Sequence, residues 1–314
     1  MTEVGFGAAQ LGNLNRETTD DASTAAVGAA WSRGIRYFDT APHYGIGLSE
    51  RRLGAALKEF PRQEFVISTK VGRALIPTPE RATEQDEHGF VTPALYRREW
   101  DFSRDGILRS VDESLERLGL DYLDIAYLHD PDFHWEQAST EGIGALVELR
   151  DQGVVREIGA GMNQSAMLAH FVRECDVDVV MVAGRYTLLD DSAANDLLPL
   201  ALERGVGVVT AAVYNSGLLS RAVVPDDALY DYQQAPRELI ARARFIADVC
   251  ARHSVTLPDA AVQFPLRHPA VVSVVVGTRT AEQVDGSVDR YESRIPDELW
   301  AELDEAGLLQ GASR

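Results

Sequence analysis

What the chain has little of narrows it first. Cys175 and Cys250 are its only two cysteines in 314 residues, far apart and outside any CxxC. That argues against a disulfide framework or a zinc–thiolate site and fits a reducing cytoplasm. Long apolar runs are missing: Ala270–Val276 and Val177–Ala183 are the most apolar stretches, far short of the roughly 18–20 residues that span a bilayer. The opening MTEVGFGAAQLG lacks the basic and apolar regions of a secretory signal. Positive charge is scarce, with 30 Lys+Arg against 49 Asp+Glu and a net charge of −19. This disfavours nucleic acid and anionic membrane surfaces as partners. There is no GxGxxG to support a Rossmann dinucleotide site, and no low-complexity segment, short repeat or interdomain linker.

What is present is the material of a large core: 45% hydrophobic and 25% charged residues are ordinary for a globular protein. Eight short apolar runs read as strands: Gly5–Ala8, Ile35–Asp39, Phe65–Lys70, Leu123–Leu128, Val155–Gly159, Val177–Val182, Gly207–Ala212 and Val272–Gly277. Several are continuous Val/Ile/Leu runs, as parallel strands buried on both faces should be. Helical patterns lie between them at Asp20–Arg33, Ser49–Lys58, Ser103–Leu118, Thr140–Gln152, Ser192–Arg204, Arg237–Arg252 and Ala281–Tyr291, with Ser49 and Ser103 as N-caps and Gly153 and Gly205 as C-terminal glycines. The pattern predicts a (β/α)₈ TIM barrel in a single domain over residues 1–314; a doubly wound open sheet is the alternative. Two stretches, Arg73–Asp101 and Ser216–Pro236, exceed normal loop lengths and are expected to be lids or binding loops over the C-terminal face.

Three ionisable residues end three consecutive predicted strands: Asp39 in IRYFDT, Lys70 in FVISTK and His129 in IAYLHD. Strand ends on one face of a parallel barrel surround one space. Tyr44, in DTAPHYG, is close enough in sequence to lean over the same mouth. Taken singly, each has a bland reading, as turn former, surface charge or satisfied core histidine. The bland readings would have to coincide at equivalent positions. Together the four suit proton transfer at a carbonyl or alcohol oxygen coupled to hydride movement at carbon. A tyrosine is a poor acid or base at neutral pH, a neighbouring Lys⁺ is expected to lower its pKa, and a carboxylate keeps the lysine charged and fixed.

FDTAPHYG followed by SERRLG, then STKVG and YLHD, resembles the aldo-keto reductase superfamily over essentially the whole chain. The stretch after Lys70, with AGRYTLLD and NSGLL, is nearest to the bacterial L-fucose/D-threo-aldose 1-dehydrogenase and pyridoxal 4-dehydrogenase group. The resemblance implies Tyr44 as proton donor/acceptor, Lys70 as its pKa modulator, Asp39 as the lysine's partner, His129 as the substrate-orienting group, and NAD or NADP across the barrel mouth. It places Met162 and Asn163 near the carboxamide, Asn215, Ser216, Gly217 and Leu218 along the pyrophosphate, and Gly277, Thr278, Arg279, Thr280 and Gln283 around the adenosine ribose, with Arg185 also on the cofactor side. The pattern is departed from in three ways. Ala183 stands where a glutamine is common, Ala211 where an aromatic usually stacks on the nicotinamide, and Gly277 and Gln283 where a basic pair often clamps a 2′-phosphate. Arg279 remains the one cation nearby, which tilts the expectation to NAD over NADP.

On the substrate side, His43 neighbours the tyrosine, and His134 and Trp135 follow His129. An aromatic with polar groups suits a sugar ring, though Trp135 equally suits packing on the next helix. The expected partner is a small molecule, a sugar or a pyridoxal-like aldehyde or hemiacetal; oligomeric state stays open. The leading reading is oxidation of a free aldose at C1 to the lactone, with pyridoxal oxidation or general carbonyl reduction beside it. Two other classes stand against these. One is a metal-dependent hydrolase or isomerase built on His129, Asp130, Asp132 and His134, whose spacing is no metal signature. The other is a non-catalytic redox sensor, which would not need all four residues of the set.

Overall fold

Side chains along a strand alternate between faces, and that alternation divides the interior into two layers. Tyr37, Ile125, Tyr127, Val179, Met181, Val209 and Val275 pack on one another in one cluster. Their chain neighbours Phe38, Ala126, Leu128, Val180, Val208 and Val274 belong to a second, larger cluster shared with the helices. Both faces are dry, which is why these strands read as continuous apolar runs. The computed structural model describes residues 1–231 and 233–309; Tyr232, inside the expected binding loop at 216–236, and the last five residues of the expected domain lie outside them.

The strands are β1 (Val4–Gly7), β2 (Tyr37–Asp39), β3 (Val66–Val71), β4 (Leu123–His129), β5 (Val155–Met162), β6 (Val179–Ala183), β7 (Gly207–Ala211) and β8 (Val271–Gly277). They pair in parallel in chain order, and β8 returns to β1 to close an eight-stranded barrel. The open sheet is thereby excluded, and all eight expected strands occur, with no end shifted by more than three residues.

Helices cover the outside. Arg104–Leu118 starts at Ser103 as expected, the serine hydroxyl accepting from the Gly106 N–H at 3.1 Å. Arg237–Arg252 has the expected bounds. Leu48–Leu57, however, is preceded by Gly47 in a left-handed turn, not capped by Ser49; the Ser49 hydroxyl is spent on the Ala8 carbonyl. Leu197–Arg204 begins five residues later than expected, behind a separate turn at Ser192–Ala194. Three helices, Ser165–Glu174, Leu257–Gln263 and Asp297–Glu305, were not anticipated. All are ten residues or fewer, although the buried Leu168, Ala169, Phe171 and Val172 do carry helical spacing.

The stretch after β3 is an arm: Arg73–Pro77 pairs antiparallel with Tyr96–Trp100, Arg73 opposite Trp100. Within 216–236 only Leu229–Tyr230 and Gln233–Gln234 pair. Among the described residues no helix is long and apolar enough to cross a membrane.

Candidate active site

Register brings the expected catalytic residues together. Asp39 is opposite Ser68 across β2 and β3, and Lys70, two residues further along, is opposite Tyr127 on β4. Residues two apart share a strand face, so Tyr37 and Asp39, Ser68 and Lys70, and Tyr127 and His129 form three adjacent columns. Lys70 Nζ donates to Asp39 Oδ2 at 2.7 Å and Oδ1 at 3.0 Å, to the Thr40 carbonyl at 2.9 Å and to Tyr44 Oη at 3.2 Å. Ser68 Oγ donates to Asp39 Oδ1 at 2.7 Å, and Tyr37 Oη lies 3.0 Å from Ser68 Oγ. The carboxylate is thus held from above by the lysine and from below by a hydroxyl.

The tyrosine reaches this point because its loop is braced. Gly45 has φ +61, and a Cβ there would lie 2.3 Å from the Gly12 carbonyl oxygen, so the turn after β2 sits directly on the turn after β1. Thr40 Oγ1 is 2.8 Å from Ser49 Oγ, which donates to the Ala8 carbonyl at 2.7 Å. Glu50, fully buried, accepts from Thr69 Oγ1 at 2.7 Å and pairs with Arg117. Arg52 donates to the Leu11 carbonyl and Asn13 Oδ1, each at 2.7 Å. SERRLG is therefore a brace that sets the Tyr44 loop against β1 and β3.

Burial pushes the Tyr44 phenol up; the Lys70 ammonium pulls it back, the Asp39 carboxylate adds to the rise, and the net direction is upward. The expected lowering by lysine is present, but desolvation exceeds it. Burial alone would lower Lys70, yet the charges of Asp39 and Tyr44 reverse that and raise it, so it stays an ammonium. Burial, with the Arg73 and Lys70 charges, drives His129 well below the usual histidine value. His43 is pushed down to about 2 by burial and by Arg73 and Arg98. Both imidazoles are neutral at physiological pH.

On the substrate side the rings of His43 and Phe90 lie 5.4 Å apart, His43 and His129 5.6 Å, and Tyr44 and Phe90 6.2 Å. Two ion pairs, Arg73–Asp130 and Arg98–Asp86, line this region; Arg98 also donates to the His43 carbonyl at 2.8 Å. Neither pair was anticipated, since the partners come together only once the arm folds back. The arm also takes His134, whose ring is 5.4 Å from Trp100 and 5.5 Å from Phe102. Trp135 packs edge-on against Phe171, at 4.9 Å, and His170 on the next helix, which is the packing alternative. Asp130, Asp132 and His134 are engaged separately, with Arg73, with Gln164 and with the arm. Among the described residues no group of three or more His, Cys, Asp or Glu could hold a metal ion.

The opposite side of the mouth, around β7, β8 and β1, holds most of the residues expected at the cofactor. Asn215 Oδ1, Thr278 Oγ1 and Gln10 Oε1 are buried and have no hydrogen-bond partner among the described residues. A Cβ at Gly277 would lie 2.6 Å from the Gln10 amide. Ala212, Asn215, Ser216 and Gly217 all have positive φ, from +44 to +92, and backbone of this kind forms concavities that suit phosphate oxygens. Unpartnered polar atoms and a left-handed turn fit a phosphate-bearing dinucleotide. Asn163, Ser216 and Gly277 are exposed and Leu218 is buried. Thr280 caps the helix Ala281–Glu292, and Gln283 Oε1 accepts from the Arg279 N–H at 2.8 Å. Three positions are engaged within the fold. Met162 packs into the layer shared with the helices. Arg185 pairs with Asp231 at 2.8 Å. Arg279 donates to the Leu14 and Arg16 carbonyls at 2.6 and 2.8 Å and to Thr18.

The sequence matches the model of the Aldo/keto reductase family over residues 3–307. The chain belongs to that family. As an aldo/keto reductase it is an oxidoreductase, and its relatives agree. It is 50% identical over 309 residues to a D-threo-aldose 1-dehydrogenase of a Pseudomonas species, covering 98% of this chain and 94% of that one. It is 40% identical over 329 residues to a pyridoxal 4-dehydrogenase of Microbacterium luteolum, covering 98% and 95%. Among solved structures, the holo form of an aldo-keto reductase from Bacillus halodurans matches with a TM-score of 0.74 at 26% identity, covering 98% of this aldo/keto reductase and 92% of that chain.

Proposed function

We propose that the protein oxidises a cyclic hemiacetal, a free aldose of the L-fucose or D-threo-aldose type, at C1 to the lactone, with NAD preferred to NADP. The observation that carries this is the Lys70 ammonium, 3.2 Å from the Tyr44 phenol and 2.7 Å from Asp39. A hemiacetal carries its hydroxyl and its transferable hydrogen on one carbon, so no water enters the chemical step. A nicotinamide dinucleotide held along Asn215–Leu218 and Gly277–Thr280 supplies the hydride acceptor. Tyr44 Oη takes the hydroxyl proton, and Lys70 stabilises the phenolate that does so. Asp39 holds the lysine in place, and neutral His129 orients the reacting oxygen. The 50% identical D-threo-aldose 1-dehydrogenase supports an aldose substrate. The preference for NAD rests on Arg279, whose guanidinium is already bonded to backbone carbonyls.

A panel of free aldoses and pyridoxal, each with NAD and with NADP, followed at the absorbance of the reduced nicotinamide, tests the proposal. An aldose with NAD should give the highest kcat/KM. Pyridoxal as the better substrate, or no aldose turned over with either dinucleotide, would overturn it.

A further inference from the structure

Beside the tetrad lies a charged pair that proton transfer does not use. Asp130 directly follows His129, and its φ is +44, a region that a non-glycine residue occupies at a cost and that recurs at functional sites. Its N–H donates to the Gly161 carbonyl at 2.9 Å, so the pairing of β4 with β5 holds the turn. Asp130 Oδ2 takes the Arg73 guanidinium and lies 3.7 Å from His129 Nε2. Arg73 is the first residue of the arm, its guanidinium 4.3 Å from the centre of the Trp100 ring. Polar capacity is left over here. Among the described residues Asp130 Oδ1 takes no hydrogen bond, and Arg73 Nε and His129 Nδ1 are buried with no partner. The Asp130 side chain keeps 32% exposure, against 8% for His129.

We infer that Asp130, held by Arg73, binds the hydroxyl on the carbon next to the reacting one and so determines specificity for aldoses; the inference rests on the aldose reading above. His129 orients the reacting oxygen, and the Asp130 carboxylate, whose Arg73-bound Oδ2 lies 3.7 Å from His129 Nε2, can serve an oxygen on the adjacent carbon through its other oxygen, Oδ1, by one hydrogen bond of ordinary length. A carboxylate only accepts, and a hydroxyl donates to it. A substrate without that hydroxyl leaves a partly desolvated charge unmatched, which is how a polar site rejects a deoxy analogue. The carbon next to the aldehyde of pyridoxal carries no hydroxyl, and anionic substrates are repelled at this position.

The test pairs L-fucose with its 2-deoxy counterpart, with NAD, in the wild-type chain and in Asp130→Asn. Asparagine keeps the shape and tolerates a positive φ. Wild type should prefer L-fucose by about 10- to 100-fold in kcat/KM. Asp130→Asn should lose that factor on L-fucose, mainly through KM, and change the 2-deoxy sugar by less than about threefold, so the preference collapses. If the pair merely docks the arm, both sugars fall together, the preference survives, and the inference is wrong. It is equally wrong if wild type oxidises the two sugars alike. If wild type oxidises neither sugar yet reduces simple carbonyls, the aldose reading has itself failed, and that is visible without the variant.

Discussion

The two sides of the barrel mouth are built on opposite terms. Around β2, β3 and β4 the groups behind the phenol are bonded to one another: Lys70 to Asp39 and Tyr44, Asp39 to Ser68, Glu50 to Thr69 and Arg117, and unpartnered atoms such as His129 Nδ1 and Arg73 Nε lie only at its outer edge. Around β7, β8 and β1, Asn215 Oδ1, Thr278 Oγ1 and Gln10 Oε1 are buried without partners. A group that must move a proton within tenths of an ångström needs its geometry fixed before substrate arrives. A surface that must bind and release a dinucleotide needs polar atoms whose partners come with the ligand. Substitutions in the Asp39–Lys70–Tyr44 set should therefore cost stability and rate together, those in the Glu50 brace stability with little rate, and those on the second side binding alone.

Lys70→Met should break that contrast hardest. It leaves Asp39 as an unpaired buried charge, costing about 3–5 kcal/mol of stability, and removes the cation beside the phenol, costing at least about 10²-fold in kcat; urea unfolding and steady-state kinetics read the two. Glu50→Gln isolates the brace from the chemistry. It strands Arg117, so about 3 kcal/mol should be lost in urea unfolding, while kcat falls by less than about tenfold, because Glu50 touches no reacting group. The pH profile sharpens the chemical half. Tyr44 titrates above its ordinary value, so between pH 7 and 10 the phenolate fraction rises about tenfold per unit. On the proposed mechanism aldose oxidation uses the phenolate and should climb with pH, while the reverse reduction uses the phenol and should stay level and fall only in more alkaline solution. Lys70, raised above its own ordinary value, stays charged throughout. The smallest effect belongs to the other side: Thr278→Val removes an unpartnered hydroxyl, so unfolding should shift by less than about 1 kcal/mol while the dinucleotide Kd rises about five- to tenfold, as read by fluorescence titration.

The barrel was legible because strands dry on both faces cannot hide: Val179–Ala183 and Val271–Gly277 are runs of valine with little else. Asp39, Lys70 and His129 were legible because each ends such a run, and strand ends on one face meet. Tyr44 was placed at the mouth by its nearness to Asp39 in the sequence and given its role by the family resemblance; its exact position depends on Gly12, Ser49 and Glu50, whose partners lie in other elements. The arm was hidden because RALIP and YRREW show no shared alternation and their pairing closes a long irregular segment. Arg73–Asp130 and Glu50–Arg117 were hidden for the same reason, as each joins residues separated by more than fifty positions. The upward shift of Tyr44 follows from desolvation of a phenol on a half-buried ring, which a sequence does not reveal.

Tyr44→Phe tests the central claim most directly, with L-fucose and NAD and with dinucleotide binding measured in parallel. The account predicts a fall of about 10²–10⁴-fold in kcat with the dinucleotide Kd unchanged. Turnover within about tenfold of wild type would contradict it, because the phenol would then not carry the proton.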